Sequence, residues 1–228
     1  MIFKTGLIVL NPRIVPKFEE SLKHLKSLDV PIVRIHGYTE TEIAAQDGAI
    51  FSEALDHLRT RHSCTHAATT SDDCIIPPDS FRAITQHSYH ERDAEFEFFT
   101  SGWANMDETS DLAGLSDSPL PHERPLGPES YDFPTWRDVL AGPAVRKTYF
   151  TGFVGTCAPI QLWHRYPFRC FSDHPQDPGY ASDYHLSRRL QADNLPIDAL
   201  RAAFCLHLKT ATGTLDPYPL VTGRGIFE

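Results

Sequence analysis

The sequence predicts an α/β fold built around a central, mostly parallel sheet. Three observations carry that expectation. Short apolar runs of strand length alternate with helix-periodic segments through the first third of the chain. The resulting order is β-α-β-α-β, the unit that lays consecutive strands parallel. Two adjacent acids, Asp72 and Asp73, close the third strand, and in an open parallel sheet the carboxyl ends of the strands are where ligands bind.

Residues 6–10, GLIVL, are continuously apolar, as a strand covered on both faces must be. Pro16 then opens a helix in which Phe18, Leu22, Leu25 and Leu28 recur on one side, with Glu19 and Glu20 in the first turn, where the helix dipole favours acids. VPIVRI at 30–35 is the second strand. Thr39 and Glu42 then stand three apart as a capping box, opening a helix that carries Ile43, Ile50, Ala54 and Leu58 and ends near Arg59. THAATT forms the third strand and runs into the aspartates. Pro77 and Pro78 stop it, and Asp79 or Ser80 starts a short helix through Phe81 and Ile84. EFEFFT at 95–100 alternates like a half-buried strand. From about 101 to 135 Pro, Gly, Ser and Asp dominate, which predicts a long irregular loop or insertion. Structure resumes with TWRDVL and the aromatic and β-branched stretch TYFTGFVGTCAPIQLW. A helix over 184–195 and a last strand over 202–208 follow.

At 228 residues the chain is expected to form one domain over 1–228. Hydrophobic residues at 41% and charged residues at 22% are those of an ordinary globular protein, and no apolar run approaches the roughly 20 residues that cross a bilayer. The N-terminus lacks the basic leader and small-residue cleavage site of a secretion signal, so it reads as a strand. Five dispersed cysteines, Cys64, Cys74, Cys157, Cys170 and Cys205, suit reduced thiols, hence a cytoplasmic protein. A net charge of −9 argues against a large sequence-independent grip on nucleic acid and tolerates a metal-bridged anionic ligand.

Carboxylates beside a nucleotide diphosphate need a cation between them, and Mg²⁺ or Mn²⁺ is held by one or two carboxylates together with phosphate oxygens. Taken alone, an Asp-Asp turn is far more often a surface turn than a metal site. SDDCIIPPDSF nevertheless resembles the metal-binding element of the GT-A nucleotide-sugar glycosyltransferases, the family 2 type especially. There an Asp-x-Asp precedes an apolar pair, prolines and a short helix. Aligned on the prolines, Asp73 matches the metal-binding last acid, Asp72 the middle position and Ser71 the first, whose acid is missing or shifted. Downstream, SDYHLSRRL places Asp183 where such enzymes carry their catalytic base, and LPIDALRAAFCLHLK supplies His207 where a metal-touching histidine often stands.

The resemblance implies a GT-A-like, Rossmann-type three-layer sandwich with a mixed sheet. It also implies an inverting transfer of sugar from a nucleotide-sugar donor to an acceptor hydroxyl. Asp183 would act as base, Asp73 and His207 as ligands of Mn²⁺ or Mg²⁺, and Asn11, Arg13, Glu40 and Asp72 as donor contacts. Arg188 and Arg189 either add charge near the phosphates or are solvated. The acceptor stays open among glycan, lipid-linked, protein and nucleobase classes, and the oligomeric state is unspecified. Two other classes stay open: a sugar- or nucleotide-binding protein of the same fold without turnover, and a metal-dependent nucleotide-sugar hydrolase.

Each candidate has a plainer reading. Asp183 suits an N-cap, and His207 suits a core histidine. His62, Cys64 and His66 would share a strand face but lack the fourth ligand structural zinc takes, so zinc is not expected there. Trp136 and Trp163 read as core. Trp103, at the edge of the irregular segment, reads as the one to stack on an acceptor sugar. Gly152 and Gly155 fit either a close acceptor approach or a bulge.

Overall fold

The computed structural model describes residues 3–11, 13–38, 48–90, 98–105, 113, 133–149, 155–167, 182–195, 197–208, 218–219 and 221–228; for 11, 90 and 182–185 it describes the backbone only. The described strands form one sheet. Strand β1 (Thr5–Asn11) pairs in parallel with β2 (Ile32–His36) on one side and β3 (His66–Ser71) on the other, with Leu7 opposite both Ile32 and Ala68. Beyond β3 the order continues through β7 (Thr156–Pro159), β5 (Phe99–Ala104), β8 (Ile197–His207) and the two-residue β4 (Cys74–Ile75). Strand β6 (Val145–Thr148) also pairs with β8, and β9 (Gly225–Phe227) closes the other edge against β2. Strands β1, β2, β3, β5 and β8 run one way and the other four run against them, so the sheet is mixed and its parallel strands share one carboxyl end.

Helices cover both faces, because successive side chains of a strand point to opposite sides. Ile8, Leu10, Val33 and Ile35 pack against Phe51, Ala54, Leu55 and Leu58 of α2 (Ala49–His62), with Trp163 of α5 (Ile160–Arg165) and Leu190 of α6 (Ser182–Ala192) beside them. Leu7, Val9 and Ile32 face Phe18, Leu22 and Leu25 of α1 (Pro16–Lys26) and Phe81 and Ile84 of α3 (Pro78–His90). A sixth helix, α4 (Trp136–Ala141), starts at a capping box in which Thr135 and Asp138 satisfy each other's backbone N–H. The result is a three-layer sandwich with a doubly covered sheet.

Most expected elements fall where their apolar runs put them, but several bounds differ: β8 begins at Ile197 instead of 202 and is followed by β9, and α6 spans Ser182–Ala192 instead of 184–195. Helix α2 runs three residues past Arg59, because Ser63 adopts a left-handed conformation and the Cys64 N–H reaches back 3.1 Å to the Leu58 carbonyl, a cap that closes the helix there. The capping box of Thr39 and Glu42 lies outside the described residues. The third helix extends to His90, well beyond Ile84. Strand β5 continues to Ala104, into the segment expected to be irregular; 106–112 and 114–132 of that segment lie outside the described residues. The register of β5 against β8 shifts between Gly102 and Trp103, and that bulge turns Trp103 inward. Trp103 is 1% exposed, packed on Ala113, Val139 and Ala199 with the Arg146 guanidinium over its ring, and so it offers no face to a sugar. Trp163 is core, as expected, while Trp136 is half-buried against the same cluster.

Gly155 answers to packing. Its φ of +61° lies in the left-handed region, and a Cβ there would stand 2.7 Å from the Cys205 sulfur. The close approach is to the protein's own core. Gly152 lies outside the described residues.

Cys64, Cys74, Cys157 and Cys205 are buried thiols. Burial pushes the Cys64 thiol up to about 11 and those of Cys157 and Cys205 up to about 12. The thiolate is the reactive form. Native protein treated with iodoacetamide at pH 8 is therefore expected to leave these three unmodified, with full alkylation after urea unfolding. Peptide mass spectrometry showing Cys157 alkylated in the native state would contradict its burial.

Candidate functional site

The two aspartates form the turn between β3 and β4 at the carboxyl end of the parallel strands. Four hydrogen-bonding links to its backbone fix that turn. The Asp72 N–H donates to the Leu10 carbonyl at 2.9 Å, tying it to the end of β1. The Thr70 hydroxyl donates to the Cys74 carbonyl at 2.8 Å across the turn itself. Strand β4 then pairs antiparallel with the end of β8, setting Cys74 opposite His207, and the Leu208 N–H donates to the Asp73 carbonyl at 2.7 Å.

That pairing brings together two residues far apart in sequence. His207 Nε2 stands 3.5 Å from Asp73 Oδ2. The Ser71 hydroxyl donates to Asp73 Oδ1, leaving Oδ2 as the oxygen that faces the imidazole. The backbone of His207 is held by one side chain: Asn105 Nδ2 donates to its carbonyl at 3.1 Å, and its N–H donates to Asn105 Oδ1 at 2.8 Å. A lone Asn after a strand gives no sequence signal of such a clamp, so the role of Asn105 shows only in the fold.

Arg13 and Asp72 make the second half of the site. The carboxylate of Asp72 is fully buried and accepts from the Arg13 backbone N–H at 2.7 Å, from Nε at 3.2 Å and from Nη2 at 2.6 Å. The same Nη2 lies 3.9 Å from Asp73 Oδ2. Burial pushes the Asp72 carboxyl above its ordinary range, and the three bonds from Arg13 oppose that rise. Asp72 thus turns toward Arg13, which remains 29% exposed beside Asp73. Two carboxylates against one guanidinium favour an added cation, and a fixed guanidinium at the rim favours an anion.

Among the other candidates, the backbone of Asn11 ends β1 opposite His36, and its side chain lies outside the described residues, as does all of Glu40. Asp183 is the second residue of α6, and its side chain is likewise outside them. Arg189 donates to the Arg165 carbonyl at 3.0 Å and stacks over Tyr166, so it is anchored between α6 and the end of α5. His62, Cys64 and His66 do not converge: His62 bonds Glu228, the Cys64 thiol is core, and His66 Nδ1 faces the Thr65 hydroxyl at 2.9 Å.

The sequence matches no protein-family model and no curated protein. Among solved structures, A197 from STIV superposes with a TM-score of 0.56 at 10% identity, covering 98% of this chain and 96% of that one. GalNAc-T7, solved with UDP, GalNAc and Mn²⁺, gives a TM-score of 0.47 at 8% identity over 93% of this chain and 45% of its own. The inositol-1-phosphate CTP transferase from T. maritima gives 0.45 at 10% identity over 94% and 92%. At such identities the likeness to A197 speaks for the fold alone, and it extends over nearly the whole chain. With its strand order and two helical layers, the protein is a Rossmann-like three-layer α/β sandwich around a mixed sheet. Among the described residues no helix is long and apolar enough to cross a membrane.

Proposed function

We propose that this protein is a metal-dependent glycosyltransferase that moves a sugar from a nucleotide-sugar donor to an acceptor hydroxyl with inversion. The observation that carries the reading is the Asp73–His207 pair at the carboxyl end of the parallel strands. Its 3.5 Å separation is near the ~3 Å between neighbouring ligands of an ion bound at about 2.1 Å; a carboxylate oxygen beside an imidazole nitrogen suits Mn²⁺ better than Mg²⁺, which would rely on the carboxylate and phosphate oxygens. When bound, such an ion neutralises charge on the departing diphosphate.

The chain's own groups have separate tasks. Asp73 and His207 hold the ion, and Asn105 keeps the His207 backbone in place. Arg13, oriented by Asp72, gives a phosphate oxygen a cationic partner whose direction is already set. Asp183 takes the proton from the acceptor hydroxyl as that oxygen attacks the anomeric carbon.

The experiment is calorimetric titration of nucleoside diphosphates and nucleotide-sugars with Mn²⁺ and with EDTA, followed by product analysis with Asp183→Asn. Wild type is expected to bind one nucleotide only with metal. Asp183→Asn should keep that binding while losing about 10²- to 10⁴-fold in transfer, the usual contribution of a general base. Metal-independent binding, or full turnover in the variant, would sink the assignment. One observation favours a second reading: Ser71, standing where the family's first acid would be, spends its hydroxyl on Asp73. A binding protein without turnover accommodates that serine, and it would bind nucleotide yet release neither glycoside nor free sugar. A hydrolase would release free sugar.

A further inference from the structure

At the opposite end of the sheet, a second cluster of ligating side chains stands apart from Asp73. Helix α2 runs back from the carboxyl ends of the strands, and its last turns reach the level where β3 begins. His57 and His62 project from those turns. Strand β9 pairs antiparallel with β2, with Phe227 opposite Arg34, so Glu228 arrives beside the same part of α2. Glu228 Oε1 lies 2.6 Å from His57 Nε2 and 3.1 Å from His62 Nε2, and all three ligand atoms fall within 4.8 Å of one another.

We propose that His57, His62 and Glu228 bind a divalent transition-metal ion of the zinc type, which fastens the last strand of the sheet to α2. Two imidazole nitrogens and one carboxylate oxygen form a donor set that prefers zinc and its neighbours over Mg²⁺ or Ca²⁺. Zinc bound to such atoms at about 2.0–2.2 Å separates them by roughly 3.4 Å in a tetrahedron. To reach that spacing from 2.6 Å and 3.1 Å, Glu228 must draw back by roughly 0.8 Å from His57 and roughly 0.3 Å from His62. Glu228, 56% exposed, has the freedom to do so. The histidine side chains are 29% and 25% exposed, so the remaining coordination positions open to water. The two rings are already inclined toward a common partner, with centroids 5.8 Å apart. This ion would use His62 with different companions from the Cys64 and His66 that neighbour it in sequence.

The consequence is mechanical. Strand β9 is three residues long and, among the described residues, meets the rest of the sheet only through β2. An ion shared between Glu228 and two turns of α2 adds a cross-link that short ladder lacks, and binding to the folded state alone raises stability by mass action.

The test uses the full chain stripped of metal with EDTA, titrated with Zn²⁺ by calorimetry and with Co²⁺ by visible absorption. Histidine ring resonances of the wild type are followed by NMR. Expected are one Zn²⁺ equivalent displacing the ring signals of His57 and His62, a Co²⁺ ligand-field band, and a Zn²⁺-dependent rise in Tm. His57→Ala, His62→Ala and Glu228→Gln should each weaken that equivalent by more than the ~10–100-fold that outer-shell substitutions cost. Zn²⁺ affinity within threefold of wild type in both histidine variants would overturn the proposal. So would wild-type His57 and His62 signals that stay fixed at equimolar Zn²⁺, a result that decides the matter even if a variant fails to fold.

Discussion

An Asp73→Ala variant is expected to lose metal-dependent nucleotide binding by at least about 100-fold, or about 2.7 kcal/mol, while keeping its fold. The two halves of that expectation come from different atoms of the same residue. The Asp73 carbonyl, which accepts from the Leu208 N–H and helps hold β4 on β8, survives the substitution. The lost carboxylate is the group that faces both His207 and Arg13. Substitutions of groups that merely orient a ligand cost ~10–100-fold in metal affinity, and removal of a ligand should exceed that. Stability should fall little, because the side chain gives up its hydrogen bond from Ser71, worth about 0.5–1.5 kcal/mol net. Calorimetry with Mn²⁺ and thermal melts on the same sample measure both halves. Unchanged Mn²⁺-dependent binding with an intact melt would remove Asp73 from the site.

The parts of this fold that the sequence announces are those governed by neighbours along the chain. GLIVL and PIVRI read as strands because burial on both faces demands continuous apolar runs, and THAATT ends at its acids because the turn needs polar residues. What depends on distant pairing is less legible. Strand β4 is two residues long and exists through its ladder with β8, so the meeting of Asp73 and His207 is written in no local pattern. Only their order along the chain, set beside a family resemblance, hints at it. Arg13 and Asp72 stand 59 residues apart and become partners only once β1 and β3 are adjacent. Trp103 misleads for the same reason: Ser101 and Gly102 look like the start of a loop, yet pairing with β7 and β8 keeps the strand going and buries the ring. Asn105 and Glu228 carry no local signal, since each acts on an element far away in sequence.

The largest effect on stability is expected from Arg13→Ala. The substitution leaves the backbone N–H of residue 13 donating to Asp72 but removes both guanidinium bonds and the countercharge from a carboxylate with no exposure to solvent. Breaking a buried pair by taking one partner costs about 3–5 kcal/mol, and the lower end applies because Arg13 itself is 29% exposed. The pH dependence has a definite sign. Burial already holds the folded Asp72 carboxyl above its ordinary range, and loss of Arg13 pushes it further up. A folded pKa above the unfolded value of about 3.9 means the native state binds more protons, so stability falls as pH rises between the two values. The deficit of Arg13→Ala relative to wild type should therefore be largest at pH 7.5 and shrink toward pH 5. Adding Asp72→Asn should flatten the dependence, because the buried group is then neutral at every pH. Urea unfolding of the three proteins at both pH values is the measurement. A deficit below about 1 kcal/mol that does not change with pH would mean that Asp72 does not need its partner. The predicted pattern would make Asp72 the residue that fixes Arg13, so that Arg13→Lys, lacking the planar fork, should weaken nucleotide binding although the charge is kept.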